Sequence, residues 1–217
     1  MAKITSVGLI AKKVGMSRIV DGHGKIVPVT LLQVATQTVT KVLTQEVNGY
    51  DAIQIGYAYA AKRKLSKADL GRLQAQDSDE LLATRFREFR LSPEAVANVE
   101  KNAPVTVRDF EDIGSVDIVG ISKGRGTQGA VKRWGSAIGR MTHGSRFHRR
   151  PGSLGQCTSP GRVFKNKHQP GQYGDQAVTV KNLDVMQVDM EREIIVVKGS
   201  VPGFSNGYLE VRPTNKK

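Results

Sequence analysis

The segment from Ser122 to Gly174 constrains this chain more than any other stretch, because it carries a large positive charge and has too few apolar residues to form a core. Its 53 residues contain eleven Lys or Arg, eleven Gly, three His and no Asp or Glu. The other 164 residues hold 22 basic and 20 acidic side chains, so nearly all of the formal net charge of +13 lies in the segment. We therefore expect one almost neutral folded part and one strongly cationic part.

The apolar residues of the segment follow neither a helical nor an alternating period. Ordering a backbone costs on the order of 1–2 kcal/mol per residue, and scattered apolar residues do not offset that cost. A loop of this length within a compact domain is usually functional or disordered. We expect a mostly irregular segment, residues 122–174, that is ordered by a partner outside the domain. Its charge predicts that this partner is a polyanion.

Runs of β-forming residues lie on both sides of the segment and predict an antiparallel β fold. Four such runs precede residue 60, and the pairs Asp21-Gly22 and Asn48-Gly49 between them are typical of hairpin turns. PVTVRDF and SVDIVGIS come directly before the segment; QAVTVKNLDVMQVDMER, EIIVVKG and a last short strand follow it, with a hairpin turn expected at residues 189–192. This spacing is typical of a barrel or sandwich rather than of alternating β and α units. We expect residues 1–121 and 175–217 to form one mainly β domain.

Residues 60–102 are predicted to form a small helical insert in that domain. KRKLSKADLGRLQAQ and SDELLATRFREF mix apolar and charged residues at loose helical spacing, and Ser78 is a candidate N-cap for the second run. In SPEAVANVEKN, Ser92 is the expected N-cap and Pro93 the first helical residue. The charges of the insert are mixed in sign, as on an ordinary solvated face, so we assign it no function.

The segment contains a literal match to the dinucleotide-binding fingerprint G-x-G-x-x-G at residues 124–129. That fingerprint also requires a βαβ unit and an acidic residue about twenty positions further on to bind the ribose. The next carboxylate is Asp175, and no βαβ alternation surrounds the match. We therefore expect no nucleotide cofactor.

Four potential metal ligands or nucleophiles lie in the segment: His143, His148, His168 and Cys157. Their spacing matches no zinc module. A Cys–His nucleophilic pair would have no carboxylate within the segment to orient the imidazole. We expect no metal and no catalysis. With one cysteine, no secretory cleavage pattern and no apolar run of the roughly 18 residues that cross a bilayer, we also expect a cytoplasmic protein without a membrane partner or a small-molecule substrate.

Five stretches, distributed from residue 8 to residue 203, carry a resemblance to a known family that extends over nearly the entire chain. They are GLIAKKVGMSRI, GYDAIQIGY, SVDIVGISKGRGTQGAVKRW, THGSRFHRRPGSLGQCTSPGRVFKNKHQPGQYG and LDVMQVDMEREIIVVKGSVPG. The third is similar to a family signature, the fourth continues through the family's extension in register, and the other three are similar to its opening, a core strand and its C-terminal strands. The chain thus resembles the bacterial large-subunit ribosomal protein L-three family.

The resemblance implies a fold and a function. Members of this family have a β-barrel of the type found in translation factors and a long basic extension that penetrates the large ribosomal subunit. The extension contacts ribosomal RNA and approaches the peptidyl-transferase centre without supplying catalytic groups. Members bind early in subunit assembly, beside other large-subunit ribosomal proteins. The resemblance therefore implies a structural, non-enzymatic ribosomal protein without cofactors.

The resemblance also implies roles for residues of the segment. Those that fall on the signature are Lys123, Arg125, Lys132, Arg133 and Trp134; those on or beside the inner tip of the extension are Arg149, Arg150, Gln156 and Arg162. The complete predicted set of RNA contacts is Lys123, Arg125, Lys132, Arg133, Trp134, Arg140, His143, Arg146, His148, Arg149, Arg150, Gln156, Arg162, Lys165 and Lys167. The aromatic residues that are candidates to stack on unpaired bases are Trp134, Phe147, Phe164 and Tyr173.

Two positions depart from the family pattern. Thr158 stands where some bacterial members carry a methylated glutamine, so that modification is not expected here, and Cys157 replaces the common Asn.

Two other functions remain open from the residues alone. One is an enzyme acting on nucleic acid, with Cys157 or the histidines in its chemistry; the other is a basic module that binds another protein.

Overall fold

Strands dominate the part of the chain that the computed structural model describes, residues 8–73 and 81–214. The strands are β1 (Leu9–Val20), β2 (Ile26–Val34), β3 (Gln37–Leu43), β4 (Ala52–Ala61), β5 (Leu81–Arg90), β6 (Ser115–Ile121), β7 (Thr127–Gln128), β8 (Gly171–Gln172), β9 (Ala177–Asp189), β10 (Ile194–Lys198) and β11 (Tyr208–Pro213). The helices are short: α1 (Gln45–Asn48), α2 (Lys67–Leu73), α3 (Pro93–Ala97) and α4 (Ala130–Trp134), with 3-10 turns at Lys62–Lys64 and Val107–Phe110. The prediction of a mainly β fold is confirmed.

Six strands close into a barrel in the order β1-β11-β6-β9-β10-β2. Its antiparallel register places Leu9 opposite Val211, and Val211 opposite Ile118. All three side chains are fully buried. Directly opposite residues of antiparallel strands lie on the same face of a sheet, so these aliphatic side chains form a continuous row across three neighbouring strands. This row is part of the main hydrophobic core.

A second sheet, in the order β3-β4-β5, contributes to the same core. Ile53 on β4 lies opposite Phe89 on β5, and both are buried. The buried amide of Gln37, at the start of β3, bonds to β1: Ile10 N–H donates to Gln37 Oε1 at 2.9 Å, and Gln37 Nε2 donates to Ile10 O at 3.4 Å. A buried polar side chain thereby satisfies a backbone donor of the first barrel strand.

The helical insert was predicted only in part. The 3-10 turn at Lys62–Lys64, α2 and α3 confirm helical structure there, and α3 has Ser92 as N-cap residue and Pro93 in its first turn. The prediction of a helix in SDELLATRFREF is wrong for its described residues, because residues 81–89 belong to β5, which pairs along its length with β4. Pairing with β4 and burial of Phe89 outweigh the helical spacing of the charges, which lie on exposed positions of an edge strand. The candidate cap Ser78 lies outside the described residues.

The predicted strand PVTVRDF is a second correction. Its first residue, Pro104, makes one isolated bridge to Thr38, and the chain then turns through the 3-10 helix Val107–Phe110. Val107 and Phe110 are three residues apart, so one turn of 3-10 helix brings both onto the same side, and both are buried. Core packing of these two side chains therefore selects the turn over a strand.

Two hairpin turns were predicted correctly. Asp21 and Lys25 close the β1–β2 hairpin through Asp21 N–H to Lys25 O at 2.8 Å. Asp189 Oδ1 accepts the backbone N–H groups of Glu191 and Arg192, at 3.0 and 3.1 Å, in the turn between β9 and β10.

The chain divides into two units, residues 1–120 with 178–217 and residues 121–177. The second unit, which we call the basic unit, includes the whole acid-free segment. It contains α4 and the two-residue pair β7 and β8, which are short regular elements within a segment predicted to be mostly irregular. Most of the remaining backbone of the basic unit lies outside helices and strands.

Candidate nucleic-acid interface

The two chain ends of the basic unit are joined by a ladder of backbone hydrogen bonds. Ser122 N–H donates to Gln176 O at 2.9 Å, Arg125 N–H to Tyr173 O at 2.9 Å, and Tyr173 N–H to Gly126 O at 3.0 Å. The short strands β7 and β8 extend this ladder. These bonds connect residues about 50 positions apart, so they join the start of the basic unit to its end through backbone groups alone. We call this set of backbone hydrogen bonds the closing ladder.

Gly174 is needed within the closing ladder. Its φ is +74°, a left-handed conformation that favours glycine, and a Cβ at this position would overlap the carbonyl oxygen of Lys123. The glycine content of the segment therefore has a structural use here, as it permits close approach of two backbone strands.

Next to the closing ladder, α4 is tied to the returning chain by side chains. The carbonyl oxygen of Gln169 accepts two bonds of 2.9 Å, one from Arg133 Nη1 and one from Trp134 Nε1. The indole of Trp134 stacks on the imidazole of His168, with ring centroids 4.5 Å apart and planes 5° from parallel. The Arg133 guanidinium carbon lies 4.9 Å from the Trp134 ring centroid. We call these four residues the Trp134 clamp.

The clamp explains two residues that the sequence prediction assigned to RNA contact and adds two that it omitted. Arg133 and Trp134 were predicted as RNA contacts, and the structure also gives them partners inside the chain. His168 and Gln169 were not in the predicted set. Their separation of more than 30 residues from α4 leaves no local sequence signal for the contact.

The G-x-G-x-x-G match does lead into a helix, because α4 begins at Ala130 directly after Gly129. The helix has five residues, and the strand within the match, β7, pairs antiparallel with β8. A βαβ unit requires parallel strands joined by a crossover helix. The local fold therefore differs from the dinucleotide-binding unit that this motif identifies elsewhere.

Nearly all predicted contact residues present their side chains to solvent. Of the fifteen, Arg133 is half-buried and the other fourteen are exposed. The ion pairs within the described residues lie in the other unit, for example Arg87 with Glu210 at 2.5 Å, and none involves the basic unit. The structure thus exposes a dense set of cations to which no carboxylate of the described chain is paired.

A closed loop lies in the middle of the basic unit. Gly139 N–H donates to His148 O at 2.9 Å, and His148 Nδ1 lies 3.0 Å from Arg140 O. A Cβ on Gly139 would overlap the carbonyl oxygen of Phe147, so the closure depends on glycine at this position. We call residues 139–148 the central loop. It brings together the predicted contacts Arg140, His143, Arg146 and His148.

Three of the four candidate stacking aromatics already have a cationic partner inside the chain. Trp134 contacts Arg133, Tyr173 lies 5.1 Å from the Arg125 guanidinium, and Phe164 lies 5.5 Å from that of Arg162. Such cation–π contacts also orient the arginines.

Other chemistries find little support among the described residues. No group of three or more His, Cys, Asp or Glu there is arranged to hold a metal ion. Cys157 is exposed, and its Sγ lies 3.7 Å from the Thr158 hydroxyl. In the other unit, a hydrogen bond to Glu88 raises the pKa of Tyr50, and burial raises the pKa of Tyr57 and of Asp109. Across residues 8–73 and 81–214, no helix has the length and apolarity to span a membrane.

Comparison with known proteins identifies the class of the chain. The family model described as Ribosomal protein L3 matches residues 91–193. The protein named large ribosomal subunit protein uL3 from Geobacter sulfurreducens is 43% identical over 210 residues, which cover 96% of this chain and 98% of the relative. Its namesake from Alteromonas mediterranea is 41% identical over 212 residues, covering 97% and 99%, and that from Prochlorococcus marinus subsp. pastoris is 41% identical over 210 residues, covering 97% and 95%.

These matches assign the chain to the structural proteins of the large ribosomal subunit. Within that class, it belongs to the ribosomal protein L3 family. The resemblance found in the sequence is thereby confirmed, and a role in the ribonucleoprotein that carries out translation follows from it.

Proposed function

We propose that this protein is a structural constituent of the large ribosomal subunit that binds large-subunit ribosomal RNA through its basic unit. The observation that carries the proposal is the exposed, unpaired charge of that unit. Ten of its eleven Lys and Arg side chains between residues 122 and 174 are exposed, and no carboxylate lies within that segment. Like charges packed at this density repel one another, and RNA phosphates neutralise them.

Arginine is the dominant cation, with seven of the eleven positions. Its planar guanidinium binds phosphate oxygens in a bidentate manner and stacks on bases, both of which suit RNA. Each neutralised phosphate releases a counterion, so salt lowers the affinity of such a site strongly.

The closing ladder and the Trp134 clamp support a division of labour within the basic unit. They hold its two chain ends together with nine residues, whereas the chain between them has mostly exposed side chains and little regular structure. RNA contacts then order the central part, which lacks a core of its own, while the other unit supplies the buried hydrophobic core.

The finer parts of the proposal rest on the family. We include binding early in subunit assembly, residence on the cytoplasmic ribosome beside other large-subunit proteins, and a path of the basic unit towards the peptidyl-transferase centre. The residues proposed for the innermost contacts are Arg149, Arg150, Gln156 and Arg162. The role is non-enzymatic, as is expected for a structural ribosomal protein.

The test compares two triple variants in RNA binding. One replaces Arg146, Arg149 and Arg150 by Gln; the matched control replaces Lys62, Arg63 and Lys64, three exposed cations of the other unit. Each variant loses three positive charges. Affinity for a fragment of large-subunit ribosomal RNA is measured over a series of salt concentrations.

We expect the first variant to bind more weakly and to lose about 2 units of the slope of log affinity against log salt, at roughly 0.7 per phosphate contact. The control should keep both the affinity and the slope within about half a unit. Equal effects of the two variants would mean that net charge, rather than the basic unit, determines binding. An unchanged first variant would remove these arginines from the interface.

A further inference from the structure

Three apolar side chains in or directly beside the central loop are exposed. Ile138, Met141 and Phe147 are 46%, 61% and 56% exposed, and all three lie within ten residues of one another. Charge alone explains the cations of this loop, but it does not explain why its apolar residues face solvent.

Phe147 differs from the other aromatic residues of the basic unit. Trp134, Phe164 and Tyr173 each have a guanidinium within 5.5 Å of the ring centroid, whereas no such contact or aromatic stack involves Phe147 among the described residues. Hydrogen bonds fix the backbone at Phe147 and at the residue that follows it. Phe147 N–H donates to Ser145 Oγ at 3.3 Å, and the following residue, His148, closes the loop with Gly139.

The surroundings of Phe147 indicate which partner its ring meets. Arg140, Arg146 and His148 are exposed in the same loop, and Arg149 and Arg150 follow directly. Exposed cations together with an exposed aromatic ring are the combination with which proteins bind single-stranded nucleic acid, since the phosphates contact the cations and the base stacks on the ring. The phosphates of a duplex can contact the same cations, but its bases are already stacked on each other.

We propose that the central loop is a binding site for an unpaired nucleotide of RNA, with Phe147 as the stacking platform and Arg140 and Arg146 as phosphate contacts. This inference rests on the proposed function and selects Phe147 from the four candidate stacking aromatics, since the other three have ring partners within the chain. The Gly139–His148 closure holds the platform in place before the base arrives.

The test uses the full chain and two probes of equal length, a single-stranded RNA of roughly 12 nucleotides and the corresponding duplex. Phe147→Ala removes the ring, and Phe147→Leu keeps an apolar side chain without a π face. Phe204→Ala is the matched control, because Phe204 is 58% exposed and lies in the other unit. Phe147→Trp tests rescue, as a larger ring stacks at least as well.

We expect Phe147→Ala to weaken single-strand binding by about 5- to 100-fold, the range for loss of one stacked base, and to leave duplex binding within about twofold. Phe147→Leu should lose nearly as much, and Phe147→Trp and Phe204→Ala should bind like the original chain. An equal loss of affinity for both probes, or an unchanged single-strand affinity of the leucine variant, would overturn the stacking assignment. So would unchanged single-strand binding of the alanine variant.

Failure of this inference is distinguishable from failure of the proposed function. If the original chain binds both probes with a steep salt dependence and Phe147→Ala has no effect, the basic unit binds RNA and the stacking site is wrong. If the original chain shows no salt-dependent binding to either probe, the proposed function itself is wrong. If the original chain binds a protein partner but neither RNA probe, and Phe147→Ala abolishes that binding, then Phe147 belongs to a protein interface and the inference is wrong.

Discussion

Replacing Trp134 with alanine tests whether the closing ladder of the basic unit is stabilised by the Trp134 clamp. The substitution removes the 2.9 Å bond from Trp134 Nε1 to Gln169 O and the parallel stack on His168. Gln169 O keeps its bond from Arg133, so no orphaned carbonyl adds to the cost.

The magnitude follows from these two contacts. A hydrogen bond contributes about 0.5–1.5 kcal/mol net, and a stacked aromatic pair about 0.5–1.5 kcal/mol beyond its area. Because Trp134 is 45% exposed, we take the lower half of the sum, about 1–2 kcal/mol. Opening of the closing ladder should then become roughly 5- to 30-fold more frequent, at about 1.4 kcal/mol per factor of ten.

Native-state hydrogen exchange reads this opening directly. The amides to follow are those of Arg125 and Tyr173, which bond across the closing ladder. We expect both amides to exchange roughly 5- to 30-fold faster in Trp134→Ala. Trp134→Phe retains a stacking ring, so its exchange rates should lie between those of the original chain and those of the alanine variant. Phe164→Ala is the control, since its only ring partner, Arg162, takes no part in the clamp. Unchanged exchange at both amides in Trp134→Ala would refute the stabilising role.

Two further predictions concern the other unit. Gln37→Leu should lower the free energy of unfolding by about 1–3 kcal/mol, because the buried N–H of Ile10 loses its acceptor; urea unfolding measures this, and Gln33→Leu, at an exposed position, should change it little. Burial raises the pKa of Asp109 above its ordinary 3.8, so the folded state binds the proton more tightly than the unfolded chain. Its contribution to stability is therefore complete below about pH 3.8 and is lost as the pH rises through the folded-state pKa. Asp109→Asn should flatten the fall in unfolding free energy over that window, and an identical pH profile in the variant would contradict the assignment.

Predictions from the sequence succeeded where the signal was local. Asp21-Gly22 closes a hairpin because these residues suit a tight turn, and Ser92-Pro93 begins α3 because the two residues fit the cap and first turn. Predictions failed where a distant partner decided the outcome. The run that forms β5 has helical spacing, but the open edge of β4 supplies backbone hydrogen bonds along its whole length. Val107 and Phe110 leave the predicted strand for a 3-10 turn, because the core accepts both side chains from one side.

Within the basic unit, composition by itself determined the charge and hence the class of partner to expect. The number of cations and the lack of carboxylates are properties of the residues that no conformation can change. Which aromatic residues remain available to a ligand was decided only by the tertiary structure. Trp134 and Phe147 are equally good stacking candidates in the sequence, and both are exposed, but chain closure at the ladder brings His168 and Gln169 against Trp134, while Phe147 has no ring partner among the described residues. Contacts between residues more than 30 positions apart depend on that closure, and no local pattern encodes them.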